Sequence, residues 1–227
     1  MKVLCQDVDF DRENFKFMQW RPGKVCGVDA RIMRISFSGE LAYEINIEAN
    51  YGYYIWNQVA LEGKKWNITP YGTESMHVLR AEKGYIIVGQ DTDGSMTPMD
   101  VNMDWILAKD KPFSYIGRRS FSISALNSDE RLQLVGLLTK DEQVVVPEGS
   151  HIIDNKSRSI GYVTSSYYSP ILGRSIALAQ LNGGLSKMSE TVLVKIVQEK
   201  QGLKEIPCEV SSSVFYDING EKVDGND

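Results

Sequence analysis

The sequence predicts an α+β fold in two parts, and three observations carry that reading. Up to about residue 110, alternating apolar segments are interleaved with two helix-patterned segments. From Arg131 onward the pattern becomes short strands at regular intervals, separated by turns rich in Gly, Pro, Ser and Asn. Between them, Lys109 to Asp129 is loop-like in composition, with room for a short helix near Arg118 to Leu126.

In chain order, residues 1 to 30 read as irregular, with Arg21-Pro22-Gly23 as a turn. Strands are expected at 31–37 and 42–48. In the second, Leu41, Tyr43, Ile45 and Ile47 line one face, while Ala42, Glu44, Asn46 and Glu48 line the other. Asn50 is placed to cap a helix over 51–62 that Gly63 ends, and Thr73 starts a second helix reaching about Lys83, with Gly84 just past its end. Tyr85–Val88 is strand-like. The later strands are expected at 133–138, 151–154, 160–165, 175–181, 191–197 and 206–211, as a small barrel or sandwich. The boundary falls near 128–131, giving a first domain over 1–112, a linker over 113–130 and an all-β domain over 131–227.

With 227 residues, 42% hydrophobic and 24% charged, the chain is composed like an ordinary globular protein. A net charge of −5 and the absence of a basic stripe argue against a nucleic-acid partner. No apolar run reaches the roughly 18 residues a membrane span needs, and the acidic start does not resemble a signal peptide. Cys5, Cys26 and Cys208 lack CxxC spacing and read as reduced thiols of a cytoplasmic protein. There is no GxGxxG, P-loop, HExxH or GxSxG, so dinucleotide, ATP, zinc and hydrolase-triad chemistry are not indicated. His77 reads as a packed or surface histidine. Asp91-Thr-Asp93 reads as a turn whose carboxylates bind the loop rather than a metal.

One segment stands out, Arg34-Ile-Ser-Phe-Ser-Gly-Glu-Leu-Ala-Tyr-Glu-Ile-Asn-Ile47, because it puts the carboxylate of Glu44 in the middle of a strand. On spacing alone that is a solvated outer face. The segment resembles the Arg-x-Gly-Tyr-x-Gly-Glu-x-Gly-Phe-Glu signature of the folate-binding glycine-cleavage T-protein family, whose last Glu holds the pterin. Four further landmarks follow in family order. They are Gly72-Thr-Glu-Ser-Met-His-Val-Leu-Arg-Ala-Glu-Lys-Gly84 with Gly89-Gln-Asp-Thr-Asp-Gly-Ser-Met-Thr-Pro98, then Met103-Asp-Trp105, Tyr115-Ile-Gly-Arg118, and the run from Thr164 to Ala179. Ile68 to Gly94, Phe37 to Glu44 and Val214-Phe-Tyr-Asp217 resemble in particular the carboxy-terminal part of the sarcosine oxidase alpha-subunit branch.

The resemblance implies a partial T-protein-like folate-binding domain followed by a small barrel-like domain, and tetrahydrofolate as cofactor. Glu44 would accept the parallel 2-amino and N3–H donors of a pterin, a charged hydrogen-bonding contact worth about 1.5–3 kcal/mol. Arg80 would steady an acidic residue or meet a folate carboxylate; on spacing alone it is a helix-surface arginine paired with Glu74 or Glu82. Trp105 is a stacking candidate, and Tyr85 a weaker one that fits core packing better. Phe37 stands where the family usually has Tyr, which removes one hydroxyl contact. No catalytic residue is assigned, because the family's catalytic aspartate belongs to an amino-terminal part that this chain lacks, and no metal site is expected. Met1 is accordingly expected to be an imposed boundary or the start of a split gene. FAD, FMN and NAD are expected only on other segments or on partner beta, gamma and delta subunits. The implied activity is capture of the one-carbon unit from sarcosine demethylation. The alternatives are a subunit-docking scaffold and a folate-dependent aminomethyltransferase or demethylase.

Overall fold

The computed structural model describes residues 1–198 and 202–225 and divides into two compact units, Met1–Leu79 with Asn219–Asp227, and Arg80–Ile218.

The first unit is built on an antiparallel three-stranded sheet in the order β1 (Gln19–Val25), β2 (Val28–Arg34), β3 (Glu44–Asn46). The segment read as a turn, Arg21-Pro22-Gly23, is the middle of β1, paired with Ala30, Arg31 and Ile32. Proline is tolerated there because β1 is an edge strand, where a missing N–H need not break the ladder. The reversal lies instead at Cys26 and Gly27, whose φ values of 48° and 84° make the left-handed pair that a two-residue hairpin requires.

Helix α1 (Gly52–Gly63) follows a 3-10 turn at Ala49–Tyr51, so Asn50 lies inside that turn and caps nothing. Nor does Gly63 end the helical path. It continues through Lys64–Trp66 and stops at Asn67, which takes the left-handed conformation at φ 54°. Gly63 serves close approach, since a Cβ there would lie 2.5 Å from Cγ2 of Ile68. Phe10, Phe15, Val25, Ile32 and Ile55 form the core, with Tyr43, Ile45 and Ile47 packed on it. Tyr43 meets Phe10 edge to face at 5.3 Å. Buried Arg34 donates to the carbonyl of Phe15 and, at 2.9 Å, to Asp224, which ties the carboxy-terminal segment to β2.

Helix α2 (Thr73–Glu82) ends as its sequence indicates: Gly84 has φ 68°, and the N–H of Tyr85 donates to the carbonyl of Arg80 at 2.9 Å. Tyr85–Val88 is not a strand; a single bridge from Val88 to Thr92 is all the pairing found there among the described residues. The linker helix appears as two 3-10 turns, Arg118–Ser122 and Ser124–Leu126.

The rest of the second unit is a closed antiparallel barrel of six strands. They are β4 (Leu132–Thr139), β5 (His151–Ile153), β6 (Ser159–Ser169), β7 (Arg174–Asn182), β8 (Thr191–Gln198) and β9 (Gly202–Ser211), in the order β4-β7-β6-β5-β8-β9. Val135, Leu137, Ile152, Val163, Ala179 and Val194 fill it. Leu134, Ile176 and Leu178 form a second cluster with Ala81 and Val101. Burial of both faces explains why β4 and β7 read as nearly continuous apolar runs rather than alternating ones.

Candidate functional site

Glu44 pairs with Met33 across β2, and Met33 in turn with Trp20, so these three share a row on the face of the sheet turned away from the Phe10–Phe15 core. The next row is Asn46, Arg31 and Pro22, with the Arg31 guanidinium 5.6 Å from the centre of the Trp20 ring. Glu44, Asn46 and Glu48 are exposed, as the alternation requires, whereas Tyr43, Ile45 and Ile47 face inward. Leu41 departs from it, being 42% exposed, because the strand starts only at Glu44. The carboxylate of Glu44 has no hydrogen bond or ion pair among the described residues. Beside it lies a shallow hollow of about 550 Å³, lined by Trp20, Pro22, Asp29, Arg31, Asn46 and Glu48.

Phe37 sits on the loop leading into β3, at the margin of exposure. That loop turns at Gly39, φ 83°, whose N–H donates to Ser36 Oγ at 3.0 Å. Burial pushes the phenol of Tyr43 up, with Arg34 and Arg12 working against it.

In the second unit Arg80 is fully buried, so the surface arginine paired with Glu74 or Glu82 is not what the chain builds. Its Nη1 donates to Asp91 at 2.5 Å and to the carbonyl of Tyr85 at 3.1 Å, and its Nη2 donates to Ser165 Oγ at 2.6 Å. Asp91, also fully buried, further accepts from the N–H of Ile87 at 2.8 Å, Thr164 Oγ1 at 2.6 Å and Ser165 Oγ at 2.7 Å. A β-bulge between Val163 and Ser165 leaves Thr164 out of register and turns both hydroxyls toward that carboxylate. Gln180 closes the cluster by donating to the carbonyl of Asp91 at 2.8 Å. The resemblance has Arg80 steadying an acidic residue, and Asp91 reads as bonding its own loop, but sequence reasoning does not join the two or find Thr164, Ser165 and Gln180 as their partners. A further trace is the polar run Thr164-Ser165-Ser166 within β6.

Asp93, two residues on, is exposed and accepts from the N–H and hydroxyl of Ser95. Trp105 is 72% exposed on a 3-10 turn at Asp104–Ile106, and Tyr85 is half-buried. His77 is half-buried in α2, and His151 is exposed and bonded to Ser159 at 2.8 Å. Among the described residues no three His, Cys, Asp or Glu are grouped to hold a metal ion, and no helix is long and apolar enough to cross a membrane.

The first unit thus presents an exposed carboxylate on a short strand, and the second unit contains a closed barrel. Comparison with known families agrees: the GCVT N-terminal domain model matches residues 1–111 and the glycine cleavage T-protein C-terminal barrel domain model matches residues 133–217. The chain belongs to the glycine cleavage T-protein family. Among curated proteins it is similar to sarcosine oxidase subunit alpha of Corynebacterium sp. strain P-1, 42% identical over 98% of this chain and 23% of that one. The subunit from Rhizobium meliloti is 34% identical over 96% of this chain and 22% of its own length. The aminomethyltransferase of Thermotoga petrophila is 31% identical over 78% of this chain and 47% of that protein. The chain thus spans about a quarter of the length of the sarcosine oxidase subunits that it matches. The crystal structure of the glycine cleavage system aminomethyltransferase T from Bartonella henselae has the same fold, with a TM-score of 0.77 and 23% identity over 89% of this chain and 53% of that one.

Proposed function

We propose that this chain is the tetrahydrofolate-binding part of a sarcosine oxidase-type alpha subunit. It would capture the one-carbon unit released by oxidative demethylation of sarcosine as 5,10-methylenetetrahydrofolate. The observation that carries the reading is Glu44: a carboxylate at the first position of β3, exposed and without a partner among the described residues, on a segment that resembles the family's folate signature. Its two oxygens fit the paired donors of a pterin edge. Phe37, on the loop before it, offers an apolar surface, and Trp105 an exposed ring able to stack. Arg80 enters as a positioning residue: both its Nη atoms are engaged inside the unit, so it holds the Tyr85–Asp91 loop rather than a ligand carboxylate.

Tetrahydrofolate supplies the nitrogens that accept the carbon; the protein's share is to orient the folate and exclude water from it. Flavin oxidation of the amine, with FAD, FMN and NAD, belongs in this reading to other segments and to beta, gamma and delta partner subunits. Support comes from the similarity to sarcosine oxidase alpha subunits over nearly the whole chain and, more distantly, to aminomethyltransferases.

The test is calorimetric titration of the chain with tetrahydrofolate, beside Glu44→Gln. Losing one acceptor of a charged pair should weaken binding about tenfold to a hundredfold. Equal affinity in the two proteins removes Glu44 as the anchor. Absence of binding to either favours a subunit-docking role.

A further inference from the structure

We infer a second ligand site, for an organic oligocarboxylate, in the pocket formed by residues 99–127. The second unit holds there a cavity of about 570 Å³, within the range of small-molecule sites. In a chain of net charge −5, the stretch 109–119 carries Lys109, Lys111, Arg118 and Arg119 against the single acid Asp110. Three of those four cations, Lys109, Arg118 and Arg119, line the cavity.

They are held differently. Arg118 donates to the carbonyls of Lys111 at 2.8 Å and Phe113 at 2.9 Å and lies 5.9 Å from the Tyr115 ring centre, which fixes the wall. Lys109 reaches Asp104 at 3.2 Å, an exposed pair that a competing anion can displace. Arg119 is exposed, and its guanidinium has no partner among the described residues.

Leu107 and Phe121 give the cavity an apolar floor beneath this basic rim. A bare inorganic anion would satisfy the rim and leave the floor in contact with water. A ligand with a methylene body and two or more carboxylates satisfies both. A flexible γ-linked glutamyl chain and a free dicarboxylate share that chemistry. The inference does not depend on the folate reading.

The test is calorimetric titration of the full chain at low salt with γ-linked tri-glutamate, glutarate and inorganic phosphate. Tri-glutamate is expected to bind most tightly if a chain is the occupant, and glutarate as tightly if a single dicarboxylate is. Arg119→Gln and Lys109→Gln should each weaken the preferred ligand about tenfold or more, the loss expected for one charged hydrogen-bonding contact. Both side chains are exposed, so both variants should keep the far-UV circular dichroism of the parent. Phosphate binding as tightly as either carboxylate overturns the inference. So does absence of carboxylate binding, or unchanged affinity in both variants. Glu44→Gln should leave the carboxylate isotherm unchanged, so this inference and the folate reading fail separately.

Discussion

Replacing Asp91 by Asn tests what holds the second unit together. The native carboxylate is fully buried and accepts from Arg80, Ile87, Thr164 and Ser165 at 2.5–2.8 Å. Asparagine is nearly isosteric but turns one acceptor into an NH2 donor facing existing donors, and it leaves the Arg80 guanidinium buried without its counter-charge. Breaking a buried pair from one side costs about 3–5 kcal/mol. For a chain of this size each kcal/mol lowers the thermal midpoint by about 2–4 °C, so the expected fall is about 6–20 °C. Differential scanning calorimetry with far-UV circular dichroism reads it. Asp93→Asn, which alters an exposed carboxylate on the same turn, should leave the midpoint unchanged. The double variant Arg80→Met/Asp91→Leu removes both charges and should be less destabilised than Asp91→Asn, since replacing a whole pair is often near neutral. A loss below about 1 kcal/mol for Asp91→Asn, the level of an ordinary substitution, would refute the argument that the pair is mutually dependent.

Two further outcomes follow from the geometry. Gly84→Ala should destabilise by at least about 1–2 kcal/mol in urea unfolding, because φ is 68° and the new Cβ would meet the Ser213 carbonyl oxygen at 2.5 Å. Asp100 carries a pH signature. Burial opposes its ionisation, but Arg131 and the Thr97 cap outweigh it and hold the carboxyl below its ordinary value of 3.8. A depressed folded-state value means the contribution is complete above the unfolded value and is lost as pH falls through the folded one. The gap in thermal midpoint between wild type and Asp100→Asn should therefore be widest near neutrality and close as pH drops below about 4.

The barrel was legible because its strands are short, regularly spaced and separated by turn residues, and all six expected strands are present. Glu44 was legible for a local reason too, since alternation from Tyr43 to Glu48 fixes which side chains face out. Elsewhere local rules competed with context. Arg21-Pro22-Gly23 has turn composition, but an edge strand accommodates a proline. Tyr85–Val88 has strand composition, but the N–H of Ile87 is committed to Asp91 and the segment finds no ladder. The Arg80 network was hidden for another reason: Ser165 is 85 residues from Arg80, and no periodicity in either segment points to the other. The reading of Arg80 as a surface residue failed because helical spacing reports which residues share a face, not which face is buried.

Pro22 has a consequence for the molecule's company as well as for its fold. β1 spans seven residues, and the proline is the fourth of them. A second chain that tried to extend the sheet along that margin would find a donor missing at the centre of the seam, with the charged Lys24 beside it. The residue that read as part of a turn thus removes one donor from the outer row of β1. The next donors along it are already taken, the N–H of Lys24 by the Asp7 carboxylate at 3.0 Å and that of Cys26 by the Leu4 carbonyl at 2.7 Å, so the margin offers little to a pairing strand.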